Sequence, residues 1–144
     1  MSETHYIGAS ADGTALGAVV EIKCPSRGTD KTVAELINSG YEHLSVGDDG
    51  NMQLKESSHY YCQVQGEMAI KGYKLCHFVV WTPCDIEVVS VHYNETFWND
   101  KLLPKLKLFF DTVIRPELLT DVGEYSTSES LSFQNGSLKS RDPN

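Results

Sequence analysis

The chain has 144 residues, with 20 acidic against 12 basic side chains for a formal charge of −8. Hydrophobic residues make up 40%, including seven Tyr, five Phe and two Trp, which is enough for the core of one domain and excludes a wholly disordered protein. The acid excess argues against a broad basic surface for non-specific nucleic-acid binding, no apolar run approaches the roughly 18–20 residues of a membrane span, and residues 1–5 carry no secretory signal, so an intracellular protein is expected.

Residues 15–23 are small and β-branched and stop at Pro25, which predicts a strand, with residues 6–10 as its partner across an Asp12-Gly13 turn. Residues 30–38 space Val33, Leu36 and Ile37 helically, with Asp30 as N-cap and Gly40 as stop. Residues 43–46 and 51–55 flank Gly47-Asp48-Asp49-Gly50, which suits a small hairpin. A longer helix is expected from Ser57 or Ser58 to about Lys71, closed by Gly72, with Tyr61, Val64 and Met68 as its apolar stripe. Residues 75–82 are a nearly continuous apolar run and residues 86–93 alternate Ile, Val, Val and Val; both read as strands joined through Pro83-Cys84-Asp85. Helical spacing returns from Glu95 to about Leu119, where Phe97, Leu103, Leu106, Phe109, Phe110 and Ile114 can cover a sheet and Pro104 marks a first turn or a kink. The domain expected is therefore residues 1–119, an α/β core with a mixed central sheet flanked by helices. Residues 120–144 turn to Ser, Gly, Asn and charge, a composition that predicts a disordered tail.

Cys24, Cys62, Cys76 and Cys84 are separated by 38, 14 and 8 residues with no CxxC pair. That spacing does not resemble a structural zinc site or a redox motif, and buried thiols are expected rather than disulfides. Asn94-Glu95-Thr96 and Asn135-Gly136-Ser137 fit the glycosylation triplet but carry little weight without an export signal.

The chemistry concentrates in Asp12-Gly13, Val20-Glu21-Ile22-Lys23-Cys24-Pro25 and Tyr60-Tyr61-Cys62-Gln63-Val64-Gln65. Side chains alternate along a strand, so Glu21 and Lys23 share one face while Val20, Ile22 and Cys24 share the other. If Asp12 stands at the end of the partner strand, its carboxylate approaches that of Glu21. Two close carboxylates without a cation repel, and a hard divalent ion such as Mg²⁺ or Mn²⁺ removes the conflict. The Ile22 carbonyl lies between the two functional side chains and could add a ligand. Lys23 would then stand beside the nucleophile and the phosphate charge, which outlines a phosphodiester-hydrolysis site. From spacing alone, an ordinary solvated Glu21–Lys23 pair and a plain turn at Asp12-Gly13 remain an open reading.

The run Gly8-Ala9-Ser10-Ala11-Asp12-Gly13, then residues 20–26, then Tyr60-Tyr61-Cys62-Gln63-Val64-Gln65-Gly66-Glu67-Met68, resembles the YqaJ-type viral recombinase family, which is similar to the bacteriophage lambda exonuclease and belongs to the PD-(D/E)XK nucleases. The resemblance continues through residues 78–83, Phe109-Phe110 and Pro116-Glu117-Leu118, covering roughly residues 6–119. It implies a restriction-endonuclease-like core and a Mg²⁺- or Mn²⁺-dependent DNA exonuclease that processes DNA ends in recombination or repair. Asp12 and Glu21 would be metal ligands with the Ile22 carbonyl, Lys23 the catalytic lysine, and Gln63 the helix-borne residue that positions water or phosphate. Residues two apart on a helix point to nearly opposite sides, which favours Gln63 over Gln65 for the site. Tyr60, Gln65, Ser26 and Arg27 are the candidate substrate contacts; core packing is the expected role of Tyr61, and packing or solvation competes for Gln65.

The family usually reads Ser-Pro-Asp-Gly where this chain has Ser10-Ala11-Asp12-Gly13, so a proline is lost and the carboxylate kept. Family members also carry a region upstream of that aspartate with a further acidic ligand, whereas 11 residues precede Asp12 here and Glu3 is the only upstream carboxylate. The expectation is a nuclease core lacking that region. The implied partner is linear double-stranded DNA, with no membrane partner; an oligomer is compatible, since the related phage exonuclease forms a ring-shaped trimer. The competing expectations are a nuclease-fold domain that binds metal or DNA without cleaving, and a cysteine-dependent metal or redox protein, which the dispersed cysteines disfavour.

Overall fold

Leu16 and Gly17 take positive φ, 52° and 75°, and close a hairpin between β1 (Gly13–Ala15) and β2 (Ala18–Lys23). Positive φ at both central residues marks a two-residue turn of the type I′ kind, whose twist suits paired strands. Asp12-Gly13 is therefore not the turn: it leads into β1, and residues 7–12 are not in a strand. The computed structural model describes residues 6–27 and 30–120, so the tail expected beyond Thr120 lies outside the described residues.

The short helix α1 (Val33–Asn38) starts two residues later than Asp30 would have set it. Thr32 is the N-cap, and it exchanges hydrogen bonds with Glu35 in a capping box. A small antiparallel hairpin, β3 (Leu44–Val46) with β4 (Met52–Leu54), buries Leu44 and Leu54. Helix α2 (His59–Lys71) runs from its Ser58 N-cap to Gly72, which takes φ 76° and so ends the helix in the left-handed conformation that glycine adopts freely. Tyr61, Val64 and Met68 are all buried. β5 (Leu75–Thr82) and β6 (Asp85–His92) make the long antiparallel pair, reversing within Pro83-Cys84.

The main sheet has the order β1-β2-β5-β6 and is mixed: β1 runs antiparallel to β2, β2 parallel to β5, and β5 antiparallel to β6. α2 packs against β2 and β5, and α1 against β5 and β6. The register puts Val19, Glu21 and Lys23 on one face with Cys76, Phe78 and Val80, and there Val19, Phe78, Val80, Val64, Met68 and Val89 join the core. On the opposite face Ile22, Trp81, Ile86 and Val88 stay exposed.

The chain divides into two compact units, Met1–Leu102 and Leu103–Asn144. In the first, a π-helical segment, Phe97–Leu102, follows β6 and contributes Phe97 to the core. In the second, α3 (Leu103–Phe109) has Pro104 in its first turn, and a π-helical turn, Phe110–Ile114, is braced by an ion pair from Arg115 to Asp111 at 2.9 Å. Of the residues expected to cover a sheet, Phe109 and Ile114 are exposed. The thiol expectation also needs correcting: no described cysteine is in a disulfide, but Cys24 and Cys84 are exposed, because they fall just past β2 and in the β5–β6 turn. Among the described residues no helix is long and apolar enough to cross a membrane.

Candidate active site

Asp12 lies one residue before the last ladder pair, Gly13 with Val20, beside the Glu21-Ile22 step of β2. Its Oδ2 accepts a hydrogen bond from the Ile22 backbone N–H at 2.7 Å and so caps the edge where β1 has not yet begun. A strand residue's N–H and C=O leave on the same side, which puts the Ile22 carbonyl on that same edge. The shift of the hairpin turn to Leu16-Gly17 is what brings Asp12 there.

Glu21 is 3% exposed and Ile22 45%, so the polar face of this strand is the inner one. There α2 lies over β2, and the helix delivers Gln63. Its Nε2 donates to Glu21 Oε1 at 2.5 Å, and its Oε1 accepts from Lys23 Nζ at 3.1 Å. Lys23 Nζ also pairs with Glu21 Oε1 at 2.5 Å and stands 4.6 Å from the centre of the Tyr60 ring. Glu21, Lys23 and Gln63 thus meet in one hydrogen-bonded cluster, with Asp12 one strand away.

A fourth group in the cluster was not singled out from the sequence. Glu67, one helical turn after Gln63, is 3% exposed, and its Oε1 accepts from the same Gln63 Nε2 at 2.9 Å. Burial lifts the Glu67 carboxyl above its usual range; the Gln63 hydrogen bond works against the lift, while Glu21 and Asp12 add to it. Its i, i+4 spacing from Gln63 on a helix aimed at β2 was the available signal. Glu21 Oε2 and Glu67 Oε2 are both buried without a hydrogen-bond partner.

Gln65 is placed elsewhere. It is fully buried, and its amide is consumed at both ends: Nε2 donates to the His92 carbonyl at 2.8 Å and Oε1 accepts from the Asn94 N–H at 2.7 Å. That side chain ties α2 to the end of β6 and is closed to a substrate. Tyr60, Ser26 and Arg27 do come together, lining with Cys24, Tyr41 and His43 a cavity of about 610 Å³, and the Tyr60 ring is the one that Lys23 stands over. Its wall is an aromatic cluster, with the His43 ring 4.4 Å from Tyr60, 4.7 Å from His59 and 5.0 Å from Tyr41. Burial, and then the neighbouring His59, lower the His43 pKa from 6.5. His43 also lines, with Lys55 and His59, a further cavity of about 330 Å³.

The donor set suits a hard divalent ion, with two buried carboxylates, each with an unpartnered oxygen, plus Asp12 and a carbonyl on an open edge. Among the described residues no three His, Cys, Asp or Glu groups already stand close enough to hold an ion. The Gln63 amide bridges Glu21 and Glu67 instead, and the Lys23 ammonium pairs with Glu21. Compared with family models, with curated proteins and with solved structures, the chain gives no significant match in any of the three.

Proposed function

We propose that the protein is an intracellular Mg²⁺- or Mn²⁺-dependent deoxyribonuclease that hydrolyses phosphodiester bonds at the ends of linear double-stranded DNA, on a restriction-endonuclease-like core similar to that of the YqaJ-type family. The observation that carries this reading is the meeting of Glu21, Lys23 and Gln63 on the buried face of β2, next to an aspartate whose carboxylate accepts from the Ile22 N–H. A stable core has no use for that arrangement: an apolar trio there would avoid the cost of burying charge.

Asp12, Glu21 and the Ile22 carbonyl would hold the ion. When bound, it supplies Lewis acidity at a phosphoryl oxygen and a nucleophile available at neutral pH. Lys23, held by Glu21 and Gln63 and set over Tyr60, would bring a positive charge to where negative charge grows on the phosphate. Gln63 would align water or phosphate with its donor and acceptor groups once these turn from Glu21, Glu67 and Lys23, which engage them in this structure. The cavity walled by Tyr60 and His43 and edged by Arg27 suits a nucleotide, with aromatic rings against the base and the guanidinium near the phosphate.

The test is release of nucleotides from an end-labelled linear duplex in Mg²⁺ or Mn²⁺, with EDTA as control and a covalently closed circle as the substrate without ends. Digestion that needs the metal, spares the circle and is lost in Glu21→Gln and Lys23→Ala supports the reading. Turnover that survives either substitution overturns the site, and metal or DNA binding with no turnover by the unaltered chain leaves a nuclease-fold binding domain instead.

A further inference from the structure

We infer that Glu67 is a further carboxylate ligand of the divalent ion, shared with Glu21 and admitted when the Gln63 amide gives way. The inference rests on the metal-dependent reading above and extends it to a residue which that reading does not use.

The Gln63 amide nitrogen occupies the position a cation would take. It donates to Glu21 Oε1 and Glu67 Oε1 together, so the two carboxylates lie within two hydrogen-bond lengths of each other. Each is 3% exposed, and the second oxygen of each is buried with no partner. Among the described residues no cation pairs with Glu67: Lys23 Nζ is engaged by Glu21 and Gln63. A buried carboxylate that faces another and lacks a cation is costly, and a natural helix has many cheaper choices between Gly66 and Met68. One amide donor shared between two acids satisfies half of their oxygens. A divalent ion would satisfy all of them, because it can take several carboxylate oxygens and cancel two charges at once. The neighbours hold Glu67 in place for this role: Val64 and Met68, on the same helix, are fully buried in the core, so the backbone that carries Glu67 is fixed against β2.

The experiment titrates the full chain with Mn²⁺ and follows the signal of free ion by electron paramagnetic resonance, with thermal unfolding in EDTA as a control on the fold. Unaltered protein, Glu67→Gln, Glu67→Asp and Glu21→Gln are compared. Glu67→Gln is expected to weaken Mn²⁺ binding by about tenfold or more and to unfold in EDTA at the same temperature as the unaltered chain or higher, because it removes one of two facing acids. Glu67→Asp, which keeps the charge and draws the oxygens back by one methylene, is expected to bind between the two and covers the case in which the amide variant misfolds. Mn²⁺ affinity unchanged in both Glu67 variants but lost in Glu21→Gln would overturn the role of Glu67 and leave the site standing. No Mn²⁺ binding by the unaltered chain would overturn both.

Discussion

Replacing Lys23 by Met separates the stability of the cluster from its chemistry. Glu21 has 4% of its side-chain surface exposed and Lys23 18%, so removing the ammonium strands a buried carboxylate while removing the carboxylate strands an ammonium that can still reach water. Loss of one partner of a buried pair costs ~3–5 kcal/mol. The Gln63 Nε2 donor remains on Glu21 Oε1 and Lys23 is partly hydrated, which puts Lys23→Met just below that range, at about 2–3 kcal/mol. At ~4–8 °C per kcal/mol for a unit of this size, that is a fall in Tm of roughly 10–20 °C. Glu21→Gln keeps the shape and removes the charge, so it should cost under about 1 kcal/mol. The double variant should recover most of what Lys23→Met loses, since no acid is then left unpaired at position 21. Urea unfolding in EDTA, followed by circular dichroism, measures all three. Equal losses for the two single variants, or a double variant that sums them, would show that Glu21 is not a buried charge dependent on Lys23.

Gln65→Ala should destabilise by ~2–4 kcal/mol, because it orphans the His92 carbonyl and the Asn94 N–H, yet leave DNA hydrolysis per folded molecule unchanged; a selective loss of turnover would reinstate it as a substrate contact. In metal-free protein the native Glu67 carboxyl holds its proton to higher pH than the unfolded chain does, so stability falls as pH rises from the unfolded value near 4.5 through the raised native one and is level above it. Urea midpoints across that range should show this slope for the unaltered chain and a flatter one for Glu67→Gln. Cys76 is fully buried and burial pushes its thiol up to about 12, so at pH 8 a thiol reagent should modify the exposed Cys24 and Cys84 first and reach Cys76 only on unfolding; rapid modification of Cys76 would contradict its place in the core.

Where the determinants are local, the sequence was enough. The α2 boundaries follow from a Ser cap at one end and a glycine at the other, and β5 and β6 from their apolar run and alternation. The first hairpin misled because Asp-Gly is a strong turn signal and Leu16-Gly17 is a weak one, leucine being an uncommon residue at positive φ. Thr32-x-x-Glu35 was a legible capping box overshadowed by Asp30. In the site, spacing put Glu21 and Lys23 on one face but not on which side of the sheet that face lay, since an acid and a base at i, i+2 normally mark the solvated side. Glu67 needed the contact across to β2: helical spacing aligned it with Gln63, and only the packing of α2 made that side the interior.

The placement of β2 sets the cluster against the usual pattern of burial. Burial alone would turn Val20 and Ile22 inward and leave Glu21 and Lys23 in water. The observed strand does the reverse at its end, with Glu21 buried and Ile22 exposed, although Val19 two residues earlier points into the core on the Glu21 face. A one-residue slip would exchange the faces, and it is prevented by the Leu16-Gly17 turn on one side and the parallel register with β5 on the other, where Val19 is matched to Cys76 and Glu21 to Phe78. The apolar residues that fix the register therefore also fix a carboxylate and an ammonium beneath a helix that adds an amide and a second carboxylate. Natural sequences break the rules of burial at sites where another requirement governs. Two carboxylate oxygens there, Glu21 Oε2 and Glu67 Oε2, still lack a partner, so the packing of β2 against α2 leaves acceptors that the protein's own donors do not satisfy.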